Sequence, residues 1–172
     1  MEKLFYVKRD KYPNSESAVK KILVDYFGVE SPVILRTENG KPYLQGGTLY
    51  FSVSHTGNDL FIAVCDEDVG IDVENLEKSV DYLSIIKRFS NDEKNEITDK
   101  QAFLRNFTAK ESAVKWFGGT LARDFRKLTY IGGKIHYGEM QLPAVTAFIP
   151  FRSFSIAVTS MQDFSNVEVV IL

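Results

Sequence analysis

Two rhythms of hydrophobic positions run along the chain. Between Ser15 and Gly28, Val19, Ile22, Leu23, Tyr26 and Phe27 recur at the helical period, which predicts a helix over 15–27 with the glycine as its stop. A second helical pattern covers Val80 to Phe89. A third and longer one runs from Lys100 to Phe117, with Phe103, Phe107, Val114 and Phe117 as its buried stripe and Gly118-Gly119 as its end. Ser90 to Glu93 has the spacing of a capping box and predicts a helix start of its own. The remaining apolar runs are short and strand-like: Leu4–Val7, Val33–Leu35, Leu49–Val53, Leu60–Cys65, Lys127–Ile131, Lys134–Tyr137, Ala144–Ile149, Phe154–Thr159 and Val167–Leu172. Leu60–Cys65 is apolar throughout, as a strand covered on both faces would be. Gly132-Gly133 reads as a hairpin turn, and Asn39-Gly40 as the tip of a turn over 37–42. Ser54 to Asn58 reads as a polar loop and Asp66-Glu67-Asp68 as an acidic turn. These make 49–74 an expected antiparallel meander. The order strand, helix, strands occurs twice, with a boundary near residues 65–68.

The segment Val69-Gly70-Ile71-Asp72-Val73-Glu74 has two faces. Val69, Ile71 and Val73 point one way, and Gly70, Asp72 and Glu74 the other. The two carboxylates are spaced roughly 6–7 Å apart along a strand, close enough to share one hard cation, which takes oxygen ligands. Alone, an acidic pair of this kind reads better as a solvated edge. In the long helix, Glu111 and Lys115 are four residues apart on one face with Thr108. Taken by themselves they read as an ordinary surface pair, but the apolar flanks indicate a helix covered on more than one side.

Composition narrows the reading. The 172 residues are 44% hydrophobic, which supplies a folded core, and the net charge of −2 argues against a general nucleic-acid binder. The single Cys65 excludes an intramolecular disulfide and a cysteine-rich zinc site, and its apolar setting predicts a buried, inert thiol. No segment reads as a signal peptide or a membrane span, so a cytoplasmic protein without a membrane partner is expected. No glycine-rich phosphate loop and no nucleophile elbow is present. His55 follows a strand and can donate to a phosphate or cap a turn; His136 reads as structural. Lys41 is a cation on a rigid turn.

Gly40-Lys41-Pro42, Phe51-Ser52-Val53-Ser54-His55-Thr56, Val69–Glu74, Phe107-Thr108-Ala109-Lys110-Glu111-Ser112-Ala113-Val114-Lys115 and Gly118–Leu121 occur in one order over residues 40–121. Together they resemble the 4′-phosphopantetheinyl transferase superfamily, of the surfactin-synthetase-activating type. The resemblance implies an α+β fold: a pseudo-twofold duplication of two halves, 1–66 and 67–172, each an antiparallel sheet with helices, and an active site in the cleft between them. It implies Asp72, Glu74 and Glu111 as Mg²⁺ ligands and Lys115 as a contact to the coenzyme A phosphates. It places Ser54 and His55 near the 3′-phosphate and Lys41 at the nucleotide. Asp72, Glu111 and Lys115 are the implied catalytic residues, with Glu111 also a general base whose pairing with Lys115 holds its pKa low. Gly70 is expected to leave room for a pyrophosphate.

The implied reaction moves the phosphopantetheine arm of coenzyme A to a serine of an apo acyl or peptidyl carrier protein and releases 3′,5′-ADP. A monomer is expected, because both halves lie in one chain. Lys87, Arg88 and Arg105 are candidates for a basic patch that meets an acidic carrier. Phe107 stands where the family has tryptophan, Trp116-Phe117 follow the lysine where it has smaller or polar residues, and the N-terminal basic residues have only Lys8, Arg9 and Arg36 as counterparts. A non-catalytic Mg²⁺–coenzyme A binding module and a metal-dependent phosphohydrolase are the alternatives.

Overall fold

A computed structural model describes residues 1–172. The protein is mixed α/β, with several sheets and five α-helices. The first sheet is built from β1 (Lys3–Lys8), β4 (Tyr50–Thr56), β5 (Asp59–Cys65) and β12 (Val169–Ile171), in the order β12-β1-β5-β4. β12 runs parallel to β1; the other pairs are antiparallel. The C-terminal strand, although it lies far beyond residue 66, thus completes the sheet of the N-terminal half. α1 (Ser15–Phe27) covers one face of this sheet. Its N-cap Asn14 accepts from the Ser17 amide at 2.8 Å, and Gly28 ends it in the left-handed conformation at φ 65°.

The expected meander does not form. β6 (Val69–Asn75) leaves β5 and pairs instead with β11 (Phe154–Ser160), which in turn pairs with β10 (Val145–Phe148). The acidic turn therefore links two sheets rather than two neighbours in one sheet. The alternation of β6 is nevertheless as read: Val69, Ile71 and Val73 enter a core shared by both sheets, with Leu4, Phe61, Ile156, Val158 and Phe164. β5 contributes to both faces of its sheet, Phe61, Ala63 and Cys65 to this shared core and Leu60, Ile62 and Val64 to the core under α1. Cys65 is buried, and burial pushes its thiol up.

α4 (Lys100–Phe117) lies across β6 and β11. Its small polar residues make the approach possible: Ser112 Oγ and Thr159 Oγ1 are 2.7 Å apart, and Thr108 Oγ1 and Ser155 Oγ 3.2 Å. Gly70 faces the helix at the same level. A Cβ there would collide with the Ser112 carbonyl oxygen and the Trp116 amide nitrogen, both main-chain atoms that cannot step aside. Gly70 is thus filled over by the helix and leaves no room for a pyrophosphate, contrary to expectation.

The other expected helices differ in length. Val80–Phe89 holds only α2 (Tyr82–Ile85) and one 3-10 turn, Ile86–Arg88. The capping box at Ser90 is present and opens α3 (Asn91–Glu96). Phe103 and Val114 are buried, whereas Phe117 is exposed beside Tyr137. Glu93 of the box goes further than its motif requires. It accepts from the Ser90 and Tyr130 amides and meets Lys110 Nζ at 3.0 Å, both charges wholly buried, with Lys110 between the Phe89 and Phe125 rings. This pair ties α3 and α4 to β7 (Leu128–Ile131), which forms a small antiparallel sheet with β8 (Lys134–Tyr137) and β9 (Met140–Gln141). The turn after β2 (Ile34–Arg36) leads into β3 (Pro42–Leu44), and α5 (Leu121–Asp124) follows α4.

Gly70→Ala is expected to cost at least about 3 kcal/mol, the upper part of the range for overpacked sites, measured as a fall in the urea midpoint. A substitution tolerated within about 0.5 kcal/mol would mean that helix and strand do not meet as described.

Candidate active site

β4 and β6 run side by side where the two sheets meet, yet no backbone ladder joins them. Two serine hydroxyls take its place. Ser52 Oγ accepts from the Ile71 amide at 3.1 Å, and Ser54 Oγ from the Val73 amide at 3.2 Å. The offset is the same in both, so the strands are parallel in this seam. Ser54 and His55 lie within β4 rather than in a loop. Strand alternation sends Ser52 and Ser54 inward, both nearly buried, and His55 outward. The Ser-x-Ser spacing was the sequence signal for this seam, and it concerned Ser52 as much as Ser54.

Asp72 is 4% exposed and stands at the centre of the site. Its Oδ1 accepts from Ser54 Oγ at 2.9 Å and from Lys115 Nζ at 2.8 Å; Lys115 Nζ also donates to the Ile71 carbonyl at 2.9 Å. Its Oδ2 is buried and takes no bond from an N–H or hydroxyl, and the carboxylate shares a side-chain hydrogen bond with Glu111. Lys115 therefore pairs with Asp72 and not with Glu111, and the expected lowering of Glu111 is reversed. Burial first, then the charge of Asp72 and that of Glu74, lifts Glu111 from 4.5 to about 8, against the pull of Lys115. Glu74 is raised as well, by burial and then by Asp72.

The three carboxylates thus feel one another electrostatically, although no three side chains already enclose a common point as a finished metal site would. The donor set fits a hard divalent cation: carboxylate oxygens only, one of them a buried atom that no N–H or hydroxyl reaches, in a cluster whose mutual repulsion pushes Glu111 up.

Lys115 also lines a cavity of about 310 Å³ on its other side, together with Arg36, Lys41, Ser52 and Gly118. Arg36, Lys41 and Lys115 give it three cationic donors beside Glu16, Lys41 being paired with Asp68 and Lys115 with Asp72. Lys41 is anchored there, with Nζ donating to Asp68 Oδ1 and to the Trp116 carbonyl, both at 2.6 Å. Asn39 Nδ2 donates to the Gly118 carbonyl at 2.8 Å, so the turn before β3 is fastened to the end of α4. Asp68 and Asn39 carry no local sequence signal, because their partners are 27 and 79 residues away.

Of the residues expected at coenzyme A, Lys41 and Lys115 line this cavity and Ser54 and His55 do not. The Ser54 hydroxyl is spent on Asp72 and Val73. His55 is exposed, 3.5 Å from Arg9 Nη1, and is held below its ordinary pKa by burial, then by Arg9 and Lys115. Arg36 is the one N-terminal basic candidate in the cavity; Lys8 is paired with Asp59. Lys87 and Arg88 are exposed after α2, and Arg105 stacks over Phe148 at 3.7 Å.

A family model for the 4′-phosphopantetheinyl transferase superfamily matches residues 68–134, a segment that carries β6, α4, Asp72, Glu74, Glu111 and Lys115. The chain is 34% identical over 98 residues to 4′-phosphopantetheinyl transferase AcpT of Salmonella typhi, covering 52% of this chain and 51% of that protein. It is 34% identical over 132 residues to 4′-phosphopantetheinyl transferase psf-1 of Bacillus pumilus, covering 72% of this chain and 56% of the relative. Over 68–134 the chain is similar to the 4′-phosphopantetheinyl transferase superfamily, and it spans about half the length of the curated relatives it matches.

The raised Glu111 has a consequence for stability. Its folded pKa of about 8 lies above the unfolded 4.5, so folding takes up a proton between those values. Without metal, stability falls as pH rises through this window and levels off above it, by at most about 5 kcal/mol. Urea denaturation in chelator from pH 5 to 9 measures this. Glu111→Gln flattens that slope, and a slope unchanged by the substitution would remove Glu111 as its source.

Proposed function

We propose that the protein transfers the 4′-phosphopantetheine arm of coenzyme A to a serine hydroxyl of an apo acyl or peptidyl carrier protein. The observation that carries the proposal is Lys115, which joins the cationic cavity on one side to the carboxylate cluster on the other. A pyrophosphate-containing nucleotide suits that junction: its nucleotide part in the cavity with Arg36 and Lys41, its phosphates at Lys115. Asp72, Glu74 and Glu111 would hold Mg²⁺. Bound there, the ion supplies positive charge to the pyrophosphate and to the leaving group.

The chain's own residues provide the rest. Lys115 neutralises phosphate charge and orients the phosphoryl group for in-line attack. The carrier serine forms its bond to the β-phosphorus as the bond to 3′,5′-ADP breaks, and the serine proton passes to Glu111, directly or through water. Glu111 can accept it only once positive charge has displaced the proton that the bare cluster retains.

The same reading includes a pseudo-twofold relation between the halves, supported by a sheet with one long helix across it in each: α1 on the first, α4 on the second. Both walls of the cleft then come from one chain, which supports a monomer. No helix is long and apolar enough to cross a membrane.

The test is mass spectrometry of a panel of apo carrier proteins incubated with coenzyme A, with and without Mg²⁺. Phosphopantetheine should appear on a carrier only with the metal. Asp72→Ala should slow transfer by on the order of 10²–10³-fold, as loss of one strong electrostatic group does. A folded protein that binds Mg²⁺–coenzyme A yet modifies no carrier would be a binding module. One that releases phosphopantetheine without a carrier would be a phosphohydrolase.

A further inference from the structure

Asp72 presents its two oxygens unequally, and Ser54 accounts for the inequality. An aspartate χ2 is soft, so a buried carboxylate rotates unless something outside it holds its plane. Lys115 cannot do this well, since its ammonium has three donors on a long flexible stem and already serves the Ile71 carbonyl. Ser54 has one χ angle, comes from the rigid β4 and is 6% exposed. The Val73 amide occupies its hydroxyl as an acceptor at 3.2 Å, and its single proton goes to Asp72 Oδ1 at 2.9 Å. With Ser54 and Lys115 both on Oδ1, no N–H or hydroxyl reaches Oδ2, and the hydrogen bond that Asp72 shares with the Glu111 carboxyl is the carboxylate's remaining contact.

We propose that Ser54 is the positioning residue for Asp72: it fixes the carboxylate so that Oδ2 is the atom presented to a divalent cation, and it does not bind the 3′-phosphate of the nucleotide. The proposal rests on the carboxylate cluster being the cation site. Ser54 acts through Asp72 and touches neither substrate. The bond it accepts from Val73 couples this aim to the seam between the sheets, so the orientation of the ligand depends on the two halves being in register.

The structure contains its own control. Ser52 makes the matching seam bond, to the Ile71 amide, without contacting Asp72. Loss of either hydroxyl leaves one buried amide without an acceptor, so Ser52→Ala and Ser54→Ala should both lower Tm, Ser54→Ala by more because it also takes a donor from the buried Asp72 carboxylate. Ser54→Ala should in addition weaken the metal.

The experiment is a Mn²⁺ titration followed by electron paramagnetic resonance, on the full chain with coenzyme A present. Ser54→Ala is expected to weaken Mn²⁺ by roughly 10–100-fold, the usual effect of removing the hydrogen-bond partner of a metal ligand. Ser54→Thr, which keeps the hydroxyl, should stay within about threefold of the parent. In a parallel calorimetric titration, Ser54→Ala should change coenzyme A and its 3′-dephospho form by the same factor. Mn²⁺ affinity unaltered by Ser54→Ala, an equal loss in Ser54→Thr, or a loss confined to the 3′-phosphorylated ligand would each overturn the proposal. Asp72→Ala separates this from failure of the underlying reading. If it too leaves Mn²⁺ binding unchanged, the cluster is not the cation site; if it abolishes binding while Ser54→Ala does nothing, only the role of Ser54 falls.

Discussion

The contact on which the molecule depends is the one between helix α4 and strand β6 at Gly70. Main chain meets main chain there, with Ser112 and Trp116 of the helix over a position that can carry no side chain. Close approach brings Glu111 and Lys115 down to Asp72 and Glu74, and it does so in a water-poor setting, where charges act strongly on one another. The small polar rungs Thr108–Ser155 and Ser112–Thr159 continue the same contact onto β11. Opposite them, the buried Lys110–Glu93 pair holds the far side of α4 to α3 and β7. Breaking that pair by removing one partner would leave an uncompensated buried charge, so the helix has little freedom to roll.

The site that results is short of positive charge. Three carboxylates share one lysine, and that lysine is already bonded to Asp72. Glu111 is pushed up to about 8 in consequence, and positive charge from a divalent cation would lower it again. Such an arrangement is costly to the bare protein and suits a protein whose ligand brings both a cation and phosphate. The neighbouring cavity is lined by the cationic groups of Arg36, Lys41 and Lys115, the last two anchored by Asp68 and Asp72. Lys115 divides the two regions, and the bonds from Lys41 and Asn39 to the end of α4 keep the turn before β3 closed against it.

Local physics made much of this legible in the sequence. Helical period, the glycines that end α1 and α4, the Ser90 capping box and the two faces of β6 are properties of a few consecutive residues, and all are present. What failed depended on distant partners. β6 alternates correctly, but nothing in its residues says that Ser160 to Phe154 will lie beside it instead of Cys65 to Asp59. Ser54 and His55 read as loop because the polarity of 54–58 hides a strand whose inward serines are satisfied by the next sheet. Glu111 and Lys115 have the spacing of a helical pair, yet Asp72 lies closer to the ammonium than the carboxylate one turn away. Gly70 was recognisable as a residue without a side chain on the charged face, and the object that needs the space is the protein's own helix.

The central claim is that Asp72 Oδ2, with Glu74 and Glu111, forms a cation site beside the phosphates of coenzyme A. The most direct measurement is a crystal structure with Mn²⁺ and coenzyme A, using anomalous scattering at the manganese edge. One strong peak is expected in contact with Asp72 Oδ2 and a carboxylate oxygen of Glu111, next to the pyrophosphate, with Lys115 on the phosphates. Coenzyme A bound in the cavity with no manganese at Asp72, or with manganese held elsewhere, would contradict it.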